Sequence, residues 1–335
     1  MQEEDFNVPV VLFTFRRLDI VKMILERLAE IEPKTVYIFS DGARIGRTDE
    51  QEKVQNVRNY LDSAITWECS CHKEYAKENK GCAKNIRSGV DYVFAREKKA
   101  IILEDDVVPM KEFFKYCEIL LDKYENDKRI QYIAGFNAIG DNEFIQESYC
   151  FAYTAPMSGA IATWADRWNE CNFSLPTWSE RKKNKTFRKY FYTNELYHQI
   201  CKSFDEAQSE NNEGWDYQFM YNQLENNRFA IVPKGNLTSN IGFSEEALHT
   251  VSDKKALKMQ EILRQTSRKF EFPMESPKHI CENVQYSKLR QKYFLSVNGN
   301  YVQRHWKYLI LAIKDFMYHH LPSSVWNFGK KLIKK

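Results

Sequence analysis

Ala100-Ile101-Ile102-Leu103-Glu104-Asp105-Asp106-Val107-Val108-Pro109 constrains this chain more than any other stretch. Four apolar residues in a row read as a strand buried on both faces, as in the middle of a parallel sheet. Three carboxylates follow at once, and Val-Val-Pro is expected to stop the ladder because proline has no N–H to donate. Adjacent carboxylates at the end of a buried strand repel one another and are costly to desolvate. A divalent cation relieves both costs, and the outer end of a parallel strand is where open α/β sheets bind ligands. Hard oxygen donors suit Mg2+ or Mn2+, which usually bind through one or two carboxylates together with substrate phosphates. The plainer alternative is a solvated acidic turn.

The 335 residues leave room for one large domain or two modest ones. With 43% hydrophobic and 28% charged residues the composition is globular, not disordered, and a net charge of +3 gives no reason to expect a nucleic-acid partner. The eight cysteines are scattered singly apart from Cys69-Ser70-Cys71. His72 beside that pair suggests zinc, but no second pair completes four ligands, and free thiols in a reducing cytoplasm are the simpler expectation. Met1 to Asp5 is polar, so no secretory signal is expected, and no run reaches the ~18 apolar residues that span a bilayer.

In chain order, Val8–Phe15 reads as a second buried strand ending at Arg16-Arg17. Asp19 is expected to cap a helix with Ile20, Met23, Ile24, Arg27 and Leu28 at helical spacing, and Thr35–Phe39 is the next strand, ending at Ser40-Asp41-Gly42. Strand, helix, strand implies a right-handed parallel crossover, with Thr14, Arg16 and Asp41 converging on one crevice. Glu50–Ser63 reads as a helix and Ala64–Cys69 as a short strand. Gly81 opens a helix that runs to about Ala95. Lys84 and Arg87 share a face of it, either as a diphosphate site near its N-terminus or as a solvated surface. A helix over Lys111–Glu125 and a strand over Ile130–Asn137 complete an α/β sheet.

After Gly140 the texture changes. Cys150–Trp164 is rich in small and aromatic residues. Ser158 and Gly159 would let backbone approach a sugar that stacks on Trp164 or Tyr153; core packing explains these residues equally well. Pro176–Arg188 is a basic surface segment, Lys189–Glu206 a helix, and Phe229–Pro233 a last strand. Asp216, after a polar loop and beside Trp215, is either an N-cap or a general base whose pKa partial desolvation would raise. His249 stands alone in a polar loop, as a solvated side chain or as a metal or phosphate ligand.

Taken together, these residues resemble the GT-A glycosyltransferases, and within them the branch containing N-acetylglucosaminyltransferase I. Ile-Leu-Glu104-Asp105-Asp106-Val-Val-Pro followed by Phe-Phe-Lys-Tyr is similar to that branch's Glu-Asp-Asp form of the DXD motif and the helix after it. Arg16 and Asp41 lie where the family holds its nucleotide, and Thr14 is placed with them as a nucleotide-sugar contact by its strand end; Lys84 and Arg87 resemble the family's cationic helix, Ser158-Gly159-Ala160 its acceptor-side segment, and Trp215-Asp216 its Trp-Asp. The chain departs from the family at Tyr217, where a second aspartate is usual, and in the acceptor segment. The resemblance covers about residues 8–250.

It implies a Rossmann-like mixed sheet flanked by helices and a Mn2+ or Mg2+ ion held mainly by Asp106. Glu104 and Asp105 then sit beside a UDP-linked sugar donor, with Trp164 and Trp215 near the sugar pocket. The implied reaction is inverting transfer to a hydroxyl of a growing glycan, with Asp216 as base. A single base suffices for inversion, whereas retaining hydrolases need a carboxylate nucleophile as well. The expected organisation is a catalytic domain over 1–250, with a nucleotide half (1–140) and an acceptor half (141–250), followed by a helical extension over 251–335.

From Trp306 to Lys335 aromatic residues alternate with lysines, and Pro322 breaks the segment. This fits amphipathic helices on an anionic membrane surface, near a lipid-linked glycan acceptor, or a helix packed on the domain. A cytoplasmic protein, peripheral on the inner face of the membrane, is the corresponding expectation. Two other classes remain. A sugar nucleotidyltransferase would also use a metal and a nucleotide, but no Gly-rich, lysine-containing loop follows the first strand. A non-catalytic nucleotide-sugar-binding relative would bind without turnover.

Overall fold

Side-chain alternation along the strands sets the layers of the molecule. The computed structural model describes residues 6–140, 143–155, 157, 159–209, 214–241 and 270–297; Ser158, His249 and residues 306–335, which carry three of the expectations above, lie outside them. β1 (Val10–Thr14), α1 (Leu18–Ala29) and β2 (Thr35–Ser40) form the expected parallel crossover. α2 (Thr48–Ala64), β3 (Ser70–Tyr75), α3 (Cys82–Phe94) and β4 (Lys99–Glu104) follow, and the four strands lie parallel in the order β3-β2-β1-β4. After β5 (Val107–Pro109) and α4 (Lys111–Lys123) come β6 (Ile130–Ala134), β7 (Tyr149–Ala152) and β8 (Ala160–Trp164). The helices α5 (Ala165–Asn169), α6 (Trp178–Lys183), α7 (Asn194–Ala207) and α8 (Asp216–Glu225) precede β9 (Phe229–Pro233), β10 (Thr238–Asn240) and α9 (Val284–Val297). The sheet continues as β8-β6-β9-β7, with β8 antiparallel to both β4 and β6 and β7 antiparallel to β9. The result is a mixed eight-stranded α/β sheet flanked by helices, as the sequence led us to expect.

Val10, Leu12, Val36, Ile38, Ile101 and Leu103 pack with residues of α1, α2 and α4 on one face. Val11, Phe13, Phe39, Ala100 and Ile102 pack with α3, Trp168 and Phe219 on the other. The period of two that separates these sets is the pleat of the strand. Each large apolar side chain withdrawn from water contributes about 1.5–3 kcal/mol, so the uninterrupted runs are stable only between two helical layers. A third cluster, around Trp178, Phe187, Phe204 and Tyr221, joins α6, α7 and α8.

Several local expectations are corrected. The strand at Ala64–Cys69 is displaced: α2 runs on to Ala64, and the edge strand is Ser70–Tyr75, too polar to read as buried. Asp19 lies in the first turn of α1, not at its cap, which is Arg17. Val-Val-Pro does not end all pairing, because Val107–Pro109 pairs antiparallel with Thr238–Asn240 in a separate two-stranded ribbon. The helix expected from Lys189 starts at Asn194, where the Thr193 side chain accepts the Leu196 N–H; a 3-10 turn covers Thr186–Tyr190. The basic 176–188 segment is anchored by buried Trp178 and Phe187. Asn283 caps α9 by accepting the Tyr286 N–H, and α9 lies against the second and third clusters through Tyr286 and Leu295. Among the described residues no helix is long and apolar enough to cross a membrane.

Candidate active site

The C-terminal ends of β1, β2 and β4 open on one side of the sheet, and β8 begins there because it runs antiparallel to β4. The three consecutive carboxylates at the end of β4 have different surroundings. Asp105 turns inward: its carboxylate accepts the Phe15 N–H and an Arg17 N–H, both at 2.7 Å, tying β4 to the end of β1. Burial pulls the Arg17 guanidinium down, but Asp105 and Asp106 outweigh it and its pKa is raised.

Asp106 is less well satisfied. One oxygen accepts from Asn240 Nδ2 at 3.1 Å, whereas Oδ1 is buried with no hydrogen-bond partner. That orphaned oxygen faces Gly159, where a Cβ would lie 2.6 Å from it and 2.8 Å from Val107. Gly159 also has φ +76°, so glycine is required there for both space and backbone conformation. Its carbonyl accepts the Glu104 N–H at 2.8 Å, fixing the start of β8 beside the cluster.

Glu104 accepts from Trp215 Nε1 at 3.3 Å, and the Cys82 thiol at the start of α3 lies 3.9 Å from its other oxygen. Burial, then Asp106, pushes the Glu104 carboxyl up to about 8. Burial also raises Asp106, against the pull of Arg17. The residue Cys82 is exposed, but desolvation of its thiol and the charges of Glu104, Asp106, Asp216 and Asp105 together raise its pKa to about 12.

Asp216 is the first residue of α8, with Trp215 at the cap position, so it is not the N-cap. It is half-buried, and desolvation raises its pKa against the opposing backbone N–H groups of Tyr217 and Asp216. It lies within electrostatic range of Glu104. Trp215 couples the two halves of the site: its N–H reaches Glu104 while its ring packs against Trp168 and Phe219.

The remaining expected residues divide. Thr14 is buried at the C-terminal end of β1, and its Oγ1 has no partner. Arg16 is paired at 3.2 Å with Glu50, a buried carboxylate that Arg44 also grips at 2.6 Å. Two guanidinium groups on one carboxylate leave positive charge beside the end of β1. Asp41 acts as a latch at the loop entering α3. Its two oxygens accept the N–H groups of Gly42, Lys80 and Gly81 and the Asn79 amide at 2.7–3.0 Å, filling the acceptor capacity of a carboxylate. Lys84 is exposed on α3, and the Arg87 guanidinium lies 5.3 Å from the Phe173 ring.

Trp164 is corrected. It pairs with Lys99 at the opposite end of β4, is fully buried, and donates its N–H to Leu121 O at 3.0 Å, so it offers no sugar a face. Trp215 likewise presents its N–H rather than an open ring, being buried. Tyr153 is wedged between Tyr190 and Phe229, with ring centroids at 4.6 and 4.3 Å. Sequence reasoning missed Arg17, Arg44, Glu50, Cys82 and Asn240. Only Arg17 carried a signal, its place beside Arg16 at a strand end.

The donor set fits a hard divalent cation. It offers an orphaned carboxylate oxygen, a second carboxyl whose charge is disfavoured without a counter-charge, and a glycine that clears the space beside both. Among the described residues no three His, Cys, Asp or Glu side chains converge as a complete cage. Mg2+ and Mn2+ need none when substrate phosphates supply the remaining ligands.

No family model matches the chain, and no curated protein sequence does. Two solved structures share part of its outline. A UDP-glucose pyrophosphorylase complexed with UDP-glucose has a TM-score of 0.38 at 12% identity, covering 76% of this chain and 99% of its own. The mannosyltransferase PcManGT from Pyrobaculum calidifontis, in complex with GDP-Man and Mn2+, has a TM-score of 0.37 at 10% identity, covering 92% and 87%. At these scores neither likeness bears on what this chain does; its own side chains must carry that.

Proposed function

We propose that this chain is a divalent-metal-dependent, inverting glycosyltransferase that moves a sugar from a nucleotide-sugar, UDP-linked by the family resemblance, to a hydroxyl of a glycan. The observation that carries the reading is the division among four carboxylates. Asp105 is satisfied, Asp106 keeps one orphaned oxygen, Glu104 has its charge disfavoured by burial and Asp106, and Asp216 stands apart on another element with a raised pKa.

Asp106, with Glu104, would hold a Mn2+ or Mg2+ ion, which when bound supplies positive charge to a departing diphosphate. The chain's own residues do the rest. Positive charge left over from Arg16 and Arg44 on Glu50 favours the same diphosphate. Asp216 accepts the proton of the acceptor hydroxyl as its oxygen bonds to the anomeric carbon, while the bond from that carbon to the diphosphate breaks and the electron pair leaves with the diphosphate. Burial makes Asp216 a stronger base than an exposed aspartate, which suits this role. The Trp215 N–H to Glu104 holds the base-bearing end of α8 against β4. His249 and Ser158 are assigned to the metal and acceptor sides by sequence alone. The 306–335 segment is similarly assigned to an anionic membrane surface, where a lipid-linked acceptor would lie.

Calorimetric titration with UDP, GDP, ADP and CDP, with and without Mn2+, tests the site. Metal-dependent binding of one diphosphate, weakened at least about tenfold (about 1.4 kcal/mol) in Asp106→Ala, is expected. No binding under any condition would overturn the reading. Asp216→Asn is expected to bind as wild type and to lose about 100- to 10,000-fold in turnover. Formation of nucleotide-sugar from a nucleoside triphosphate and a sugar phosphate would point to the nucleotidyltransferase instead.

A further inference from the structure

Close to the proposed base, α9 carries a cation that forms no ion pair among the described residues. Tyr286 and Arg290 are four residues apart and share one face of that helix. Arg290 is half-buried, and its Nε is enclosed with no hydrogen-bond partner. Among the described residues its charge lies within electrostatic range of three tyrosine hydroxyls, those of Tyr286, Tyr132 and Tyr217, and burial lowers its pKa. Tyr286 is fully buried and its hydroxyl also lacks a partner. Tyr132 donates to Ala155 O at 3.0 Å.

The same surroundings reach Asp216. Tyr132 and Tyr217 each feel both Arg290 and Asp216, so the cation and the base flank a common pair of tyrosines. Asp216, Tyr217 and Arg290 are all partly exposed. The nearest acid in sequence on the same segment, Glu282, accepts the Tyr192 hydroxyl at 3.0 Å through one oxygen, keeps its other oxygen unpartnered, and forms no ion pair with Arg290. Gln291 pins α9 in place by donating to Tyr190 O at 2.9 Å and accepting the Tyr192 N–H at 2.8 Å.

A guanidinium cannot discharge itself at neutral pH, and a charge partly withdrawn from water without a counter-charge is costly. The Phe294 ring, 5.8 Å from the guanidinium, returns only part of that cost. A planar, bidentate partner would satisfy Arg290 in full, and carboxylate and phosphate are the groups of that geometry. We propose that Arg290, with the Tyr286 hydroxyl, receives an anionic group carried by the acceptor, so that this enzyme glycosylates an acidic acceptor and not a neutral one. The inference rests on Asp216 being the base of a transfer reaction, and it makes Arg290 a specificity residue on the acceptor side. The anion is either the carboxylate of an acidic sugar or the phosphate of a phosphorylated carrier or sugar.

Calorimetric titration of the full chain with glucuronate and with inorganic phosphate, in the absence of metal, separates these sources. Saturable binding of one of them is expected, weakened at least about tenfold in Arg290→Gln and largely retained in Arg290→Lys. Tyr286→Phe removes only an unsatisfied hydroxyl, so it is expected to fold and to weaken binding about threefold, which keeps the test informative if Arg290→Gln does not fold. Nucleotide binding with Mn2+ is expected to be unchanged in all three variants. If neither anion binds wild type, or if Arg290→Gln and Tyr286→Phe bind as wild type does, the anion site is overturned while the nucleotide titration still stands. If the anion binds but no nucleotide does, the transfer reading fails, and the acceptor role fails with it.

Discussion

Asp105 and Asp106 are adjacent in the chain, yet substituting them should have different consequences. Asp105→Ala leaves the Phe15 N–H and Arg17 without their acceptor and should cost about 2–3 kcal/mol in urea denaturation. Asp106→Ala removes a carboxylate with one orphaned oxygen, so its stability should stay within about 1 kcal/mol of wild type while metal-dependent binding is lost. Glu104 gives the pH dependence. Its folded pKa of about 8 lies above the ordinary carboxylate range because of burial and Asp106. Its contribution to stability is therefore full below that ordinary range and is lost as pH rises through 8. The metal-free melting temperature should fall across that window, and Glu104→Gln should flatten the fall. The sequence announced these three carboxylates as a group. It could not divide their roles, because the partners that distinguish them come from β1, β8, β10 and the turn before α8.

At the scale of elements, the parallel half was legible wherever apolar runs coincide with strands, as in β1, β2 and β4. The edge strand Ser-Cys-His-Lys-Glu-Tyr was not, because it is held by ladder bonds to β2 and not by burial of its own side chains. The ribbon of β5 and β10 was equally hidden: it joins residues more than a hundred apart, yet it brings Asn240 to Asp106. The loop entering α3 is shaped by Asp41. Asp41→Ala should strand several donors at once, cost about 2–3 kcal/mol, and speed amide exchange at Gly42, Lys80 and Gly81. If that variant instead melts as wild type and loses nucleotide binding, the latch is the wrong role and the nucleotide contact expected from the sequence is restored.

For the whole molecule, the mixed sheet was foreseen, but its antiparallel half was not traced strand by strand. Ala160–Trp164, rich in small residues, is a strand because β4 and β6 flank it, a circumstance that no local pattern records. The aromatic, lysine-rich 306–335 segment belongs to this scale too. Deleting it should reduce co-sedimentation with anionic phosphatidylglycerol vesicles at low salt and leave metal-dependent nucleotide binding intact; unchanged sedimentation removes the membrane assignment.

The placement of α9 has a consequence for biosynthesis. Tyr286 fills the second face of the sheet and Leu295 the helical cluster, although every strand of the sheet has been made more than forty residues earlier. A nascent chain emerging in order can therefore pair its strands before it can close its interior. A chain ended near residue 280 would then be not a shortened fold but an unsealed one, exposed to aggregation at the faces that α9 covers.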